Sequence, residues 1–135
     1  MHFSSSFTSE GYCKNGKEEG YWVYYFTNSN QSKESEINYK QGEKDGECKW
    51  YYENGNLKQK SFFKDGLEEG EGAWYYSDGK LKEKTFYKKG KPHGEHFYYY
   101  PNGQLKEKGF YENGKEQGTF TLYNEDGSFK KKIIF

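Results

Sequence analysis

The stretch GLEEGEGAWYYSDGKLKEKTFY, residues 66 to 87, opens with two glycines four residues apart, runs through Trp-Tyr-Tyr, turns at Asp78-Gly79 and leaves through a Lys-rich segment. The opening pair recurs as Gly16 and Gly20, Gly42 and Gly46, Gly90 and Gly94, and Gly114 and Gly118. The first interval is 26 residues and the next three are 24 each. Self-similarity at a fixed period of this size marks a repeat architecture in which each unit stacks on its neighbours.

Two turn signals alternate along the chain. Asn54-Gly55, Asp78-Gly79, Asn102-Gly103 and Asp126-Gly127 are strong short-range hairpin signals and predict type I′ turns, with both residues at positive φ. A second series, Asn15-Gly16, Gln41-Gly42, Asp65-Gly66, Lys89-Gly90 and Asn113-Gly114, closes each unit. Two turns per unit leave short strands that run antiparallel. The predicted fold is all-β: a single elongated antiparallel meander of about eleven strands built from 24-residue β-hairpin repeats. Units are expected at 16–41, 42–65, 66–89, 90–113 and 114–135, after a partial unit at 7–15 with Phe7 in the leucine position, all within one repeat domain. At ~4.8 Å per strand the sheet is ~50 Å long, twisted and curved toward its packing face.

Side chains alternate between the faces of a strand. If each loop has two residues, Tyr52 faces Leu57 and Trp50 faces Gln59. One face, the packing face, then collects Tyr24, Trp50, Trp74 and Tyr98, a second aromatic series at Phe26, Tyr52, Tyr76 and Tyr100, the leucines 57, 81 and 105, and Phe63, Tyr87, Tyr111 and Phe135. The opposite face is expected to carry Tyr25, Tyr51, Tyr75, Tyr99 and Tyr123 beside paired lysines, Lys58 and Lys60, Lys82 and Lys84, and Lys106 and Lys108, with Glu47, Glu71 and Glu95. Lysine stems lie along tyrosine rings while the ammonium groups stay wet.

Composition bounds the function. The chain holds 15 Tyr, 11 Phe and 3 Trp, against nine Leu, Ile and Val together, so its core is thin and aromatic. Its 21 Asp and Glu balance 21 Lys, and there is no Arg, which argues against nucleic acid as a partner. No apolar run is long enough for a membrane-spanning helix. Cys13 and Cys48 fall three strands apart, out of disulfide reach, and are expected to be free thiols in packing positions. A cytoplasmic location is expected, with an exported protein whose signal has been removed as the alternative.

No constellation points to catalysis or to a cofactor. His93 and His96 flank Glu95 without the further ligands that a metal site requires, so His93 reads as a turn residue and His96 as a packing-face filler. Glu18-Glu19 and Glu68-Glu69 read as solvated charge at turn edges with unshifted pKa values. The first unit departs from the pattern: its turn is longer, and Glu34 and Glu36 replace the paired lysines, leaving an acidic spot beside Tyr25. At the other end, the apolar finish of Phe129-Lys-Lys-Lys-Ile-Ile-Phe135 suits strand pairing with a second copy.

The recurring Gly-x-x-x-Gly, Tyr, Asn-Gly, Leu and Phe-Tyr resembles the MORN repeat, and more closely its bacterial variant in antitoxin-like proteins of the YwqK type, from about Phe7 to Phe135. That resemblance implies a binding platform without enzymatic activity, sharpened to an immunity or antitoxin-like protein that covers a partner toxin. The expected partner surface is Tyr25, Tyr51, Tyr75, Tyr99 and Tyr123 with Lys58, Lys82 and Lys106, oriented by Glu34 and Glu36. The alternatives are a peripheral binder of anionic membrane lipid through the lysines and a secreted or cell-surface adhesion module.

Overall fold

The computed structural model describes residues 2–5, 9–27 and 32–135, with side chains from residue 9 onward. Phe7 and residues 28–31 of the long first turn lie outside the described residues. The strands are β1 (His2–Ser5), β2 (Ser9–Lys14), β3 (Lys17–Tyr25), β4 (Lys33–Lys40), β5 (Glu43–Lys44), β6 (Gly46–Tyr51) and β7 (Leu57–Lys64). They continue with β8 (Leu67–Glu68), β9 (Gly70–Tyr75), β10 (Leu81–Lys88), β11 (Lys91–Tyr99), β12 (Leu105–Glu112), β13 (Lys115–Tyr123) and β14 (Phe129–Ile134). All form one open antiparallel sheet in chain order, with β5 and β8 continuing the lines of β6 and β9 across a break. The expected meander is present, extended by β1, which pairs β2 from His2↔Cys13 to Ser5↔Glu10.

The type I′ form predicted for the Asn54-Gly55 series is found in the boundary series instead. Both residues have positive φ at Asn15-Gly16, Gln41-Gly42, Asp65-Gly66, Lys89-Gly90 and Asn113-Gly114, the backbone of type I′ turns. At Asn54-Gly55 the glycine alone has positive φ. There the Gly55 N–H donates to the Tyr52 carbonyl at 2.9 Å and the Tyr52 N–H to the Asn56 carbonyl at 2.8 Å, a type I turn closed by a left-handed glycine. Asn54 serves through its side chain: Oδ1 accepts the Asn56 N–H at 2.9 Å, as Asp78, Asn102 and Asp126 do for Lys80, Gln104 and Ser128.

This longer loop shifts the register. Trp50 faces Gln59 as predicted, but Tyr51 faces Leu57, so Lys58 is an extra residue in a bulge. Equivalent shifts follow Leu81 and precede Tyr99 and Tyr123. A second bulge series lies near the I′ turns, where the second glycine of each pair, Gly20, Gly46, Gly70, Gly94 and Gly118, takes positive φ. The Gly-x-x-x-Gly motif is thus one turn glycine and one bulge glycine, both in a conformation that a Cβ disfavours.

The main core row lies on the packing face, while the smaller Val23, Ala73 and Thr121 are buried on the opposite face. On the packing face Trp22, Ile37, Cys48, Ser61, Thr85, His96 and Phe120 are buried along a line running across the strands. Large rings on this line lie over glycines: a Cβ on Gly11 would come within 2.2 Å of the Trp22 ring, and one on Gly109 within 2.6 Å of Phe120. Cys13 and Cys48 are both free thiols, Cys48 fully buried. Burial raises the Cys48 pKa, which suits a packing role.

Candidate interaction surface

Hydrogen bonds from one unit to the next make the repeats a rigid ruler. The hydroxyl of Tyr52 donates to the Tyr75 carbonyl at 2.6 Å, that of Tyr76 to Tyr99 at 2.6 Å and that of Tyr100 to Tyr123 at 2.8 Å. Along the other border the N–H of Gly66, Gly90 and Gly114 donates to the carbonyls of Lys44, Glu68 and Pro92 at 2.8–2.9 Å. Side chains reinforce this border: Asp45, Glu69 and His93 accept the N–H groups of Asp65, Lys89 and Asn113 at 3.2–3.3 Å. At the first border, Asn54 and Asn102 donate to the Ser77 and Glu125 carbonyls at 2.8 Å.

The bulges redistribute the predicted surface residues. Lys58, Lys82 and Lys106 are not on the opposite face. Their ammonium groups sit over packing-face rings, Lys58 at 5.7 Å from Tyr52, Lys82 at 5.7 Å from Tyr76, and Lys106 at 5.1 and 5.5 Å from Tyr98 and Tyr100. The physical reason is the extra residue at the loop exit, which turns these side chains toward the rings. Lys60, Lys84 and Lys108 keep the predicted face, where Lys84 bridges to Glu71 at 3.5 Å. Glu34 lines a shallow depression of about 320 Å³ with Trp50, Tyr52, Glu53 and Lys58.

The opposite face holds Tyr51 and Glu36 in direct contact. Glu36 accepts hydrogen bonds from the Tyr51 and Tyr21 hydroxyls and pairs with Lys33 at 3.4 Å. Burial opposes its charge, but the two hydroxyls and Lys33 outweigh burial and hold its carboxyl below the usual range. Burial and this carboxylate push the Tyr21 pKa up to about 12 and raise that of Tyr51 further. The acidic spot is therefore internally bonded through Glu36, while Glu34 is exposed. Tyr25, Tyr75, Tyr99 and Tyr123 are half-buried.

The same face carries a row that the sequence reading missed. Phe62, Phe86 and Phe110 recur at 24-residue intervals and alternate across the sheet with Glu47, Glu71 and Glu95. Phe62 and Phe110 are 38% and 42% exposed, which places apolar area where lysine and tyrosine alone were expected. Their recurrence was the available signal.

Among the described residues no catalytic groups converge. His96 is buried as predicted, between Thr85 Oγ1 at 2.9 Å and Glu107 Oε2 at 3.1 Å, stacked on Phe120. Glu68 departs from its expected solvated state: burial raises its pKa against the pull of Lys44, whereas Glu69 is engaged with the Lys89 N–H. No group of three or more metal-ligating side chains occurs among the described residues.

Comparison with known proteins bears on the family. The family model described as MORN repeat variant matches residues 44–65, 68–89 and 92–115, half of the chain. No curated protein matches. Among solved structures, the chain is similar to one titled "Crystal structure of GtfA/B complex bound to UDP and GlcNAc", at 14% identity and a TM-score of 0.39. That similarity covers 84% of this chain and 26% of the other, so the chain spans about a quarter of the structure it matches.

Proposed function

Because the chain belongs to the MORN repeat variant family, a family of non-catalytic repeat scaffolds, we propose that it works by covering a surface of a partner protein with its packing face, in the manner of an immunity or antitoxin-like protein. The observation that carries this reading is the row of half-buried rings Trp50, Trp74 and Tyr98 beside ring-held lysines. Tryptophan and tyrosine give large contact area at low conformational cost and anchor protein interfaces. Repetition along a hydrogen-bonded ruler gives the surface its length without loss of order on binding.

The residues proposed for contact are Lys58, Lys82, Lys106 and Glu34 on this face. The column of Tyr25, Tyr51, Tyr75, Tyr99 and Tyr123 serves as its backing, with Glu36 engaged by Tyr21 and Tyr51. The test is capture with tagged protein in lysate of the source cells, followed by expression of the captured protein alone and together with this chain. The expected result is one stoichiometric protein, toxic alone and neutralised by co-expression. A captured protein with no toxicity alone removes the antitoxin reading and leaves the scaffold.

A further inference from the structure

We propose that the packing face takes an acidic polyproline-II segment of its partner, laid across the strands with successive carboxylates on Lys58, Lys82 and Lys106. The inference rests on the protein-binding reading above and names the chemistry of the partner. It stands on charge, on spacing and on the rings beneath.

Charge comes first. Among the described residues Lys58, Lys82 and Lys106 form no ion pair, whereas Lys33, Lys49 and Lys84 each have a carboxylate within 4 Å. Each of the three ammonium groups is nonetheless held, over the ring of Tyr52, Tyr76 or Tyr100. Those rings are fixed in turn by their hydroxyls on the next unit. A row of positioned, uncompensated cations is complementary to a row of anions. Glu34 occupies the corresponding place in the first unit, 24 residues before Lys58, so the row is negative at that end. The partner segment consequently has a direction, with a cationic residue at the Glu34 end.

Spacing selects the conformation. Lys58, Lys82 and Lys106 stand on β7, β10 and β12, each two strands from the next. Two strand spacings are ~9.6 Å. A polyproline-II helix returns to the same face every three residues, ~9.3 Å. From Lys58 to Lys106 the accumulated mismatch is below ~1 Å, while an α-helix meeting the row every seven residues, ~10.5 Å, is off by about 2 Å. Proline rings between the carboxylates would rest on Trp74, on β9 between Lys58 and Lys82, and on Tyr98, on β11 between Lys82 and Lys106, with Trp50 on β6 extending the aromatic row toward Glu34, since polyproline-II segments dock on aromatic-lined surfaces.

The experiment uses the full chain and a fluorescent peptide of five Glu-Pro-Pro units, with five Glu-Ser-Gly units as an equally charged flexible control. Saturable binding of the proline peptide, about tenfold tighter than the control and lost in the Lys58→Gln, Lys82→Gln, Lys106→Gln variant, is expected. Circular dichroism verifies that the variant folds. Equal affinity for both peptides, or none for either, overturns the inference. Binding instead to phosphatidylserine vesicles with no peptide binding also overturns it, in favour of lipid. Capture of the cellular partner is measured in parallel with wild type and the same variant. If capture depends on the three lysines while the proline peptide fails, the protein-binding reading stands and the acidic polyproline inference falls.

Discussion

The first unit and the four that follow share one order of strands and differ in what holds them together. In the first, the central row is filled by Trp22 and Ile37, and the indole Nε1 of Trp22 donates to the Tyr12 carbonyl at 2.9 Å. In the next, the same places hold Cys48 and Ser61, and stability passes to bonds between units, such as the Tyr52 hydroxyl on the Tyr75 carbonyl. Phe26 stands where Tyr52 stands and has no hydroxyl to donate. On the opposite face the first unit places Glu36 where the others place lysine, and two tyrosines close on it. The difference teaches that turn and bulge glycines set the ladder, while each side-chain row can be rewritten unit by unit.

The comparison breaks most sharply at the central row. Trp22→Ala should lower unfolding free energy by about 3–5 kcal/mol, through lost ring burial over Gly11 and a cavity. Cys48→Ala, at the matching position, should lose on the order of 1 kcal/mol. Urea denaturation of both proteins checks the ratio, and equal losses would show that the first unit has no special core.

Glu36→Gln should follow, at about 1–3 kcal/mol near neutral pH, because it removes a charged acceptor from two hydroxyls. The folded Glu36 pKa is depressed. Its stabilisation is therefore present above the unfolded carboxylate value and lost as pH falls through the folded one. An acid titration of stability should be shallower in the variant. The Tyr21 pKa is raised to about 12, so its contribution is complete below the ordinary tyrosine value and vanishes as pH climbs toward about 12. Tyr21→Phe should accordingly flatten the alkaline limb.

A smaller effect sharpens the view of the regular units. Tyr76→Phe removes the bond to the Tyr99 carbonyl while keeping the ring, for about 1 kcal/mol. Phe26→Leu, with no hydroxyl to lose, tests packing alone. The smallest change is a gain: Lys89 sits at φ 50 in a type I′ turn, and Lys89→Asn should add roughly 0.5–1 kcal/mol, read as a higher Tm.

The period, the strand directions and the general division of faces were legible because glycine, Asn-Gly and aromatic alternation are local signals. Turn type was not. Asn-Gly serves a type I′ turn or a type I turn with a left-handed glycine equally well, and the choice rests on a bulge residue that resembles any other lysine. Lys58 changed face for that reason, and Lys82 and Lys106 with it. The contacts of Tyr52, Tyr76 and Tyr100 reach the next unit, 23 residues away, beyond any local pattern. The Phe62, Phe86 and Phe110 row is periodic, but it sits among the lysine and glutamate positions of a face that also holds the tyrosine column, which masks it as a separate apolar row.

The most direct measurement pits the faces against each other with two variants of identical charge: Lys58→Gln, Lys82→Gln, Lys106→Gln on the packing face, and Lys60→Gln, Lys84→Gln, Lys108→Gln on the opposite one. Both are used to capture the cellular partner and compared with wild type by quantitative mass spectrometry. The account predicts that capture is lost in the first and retained in the second. Retention in the first with loss in the second would contradict it and move the binding surface to the tyrosine and phenylalanine rows.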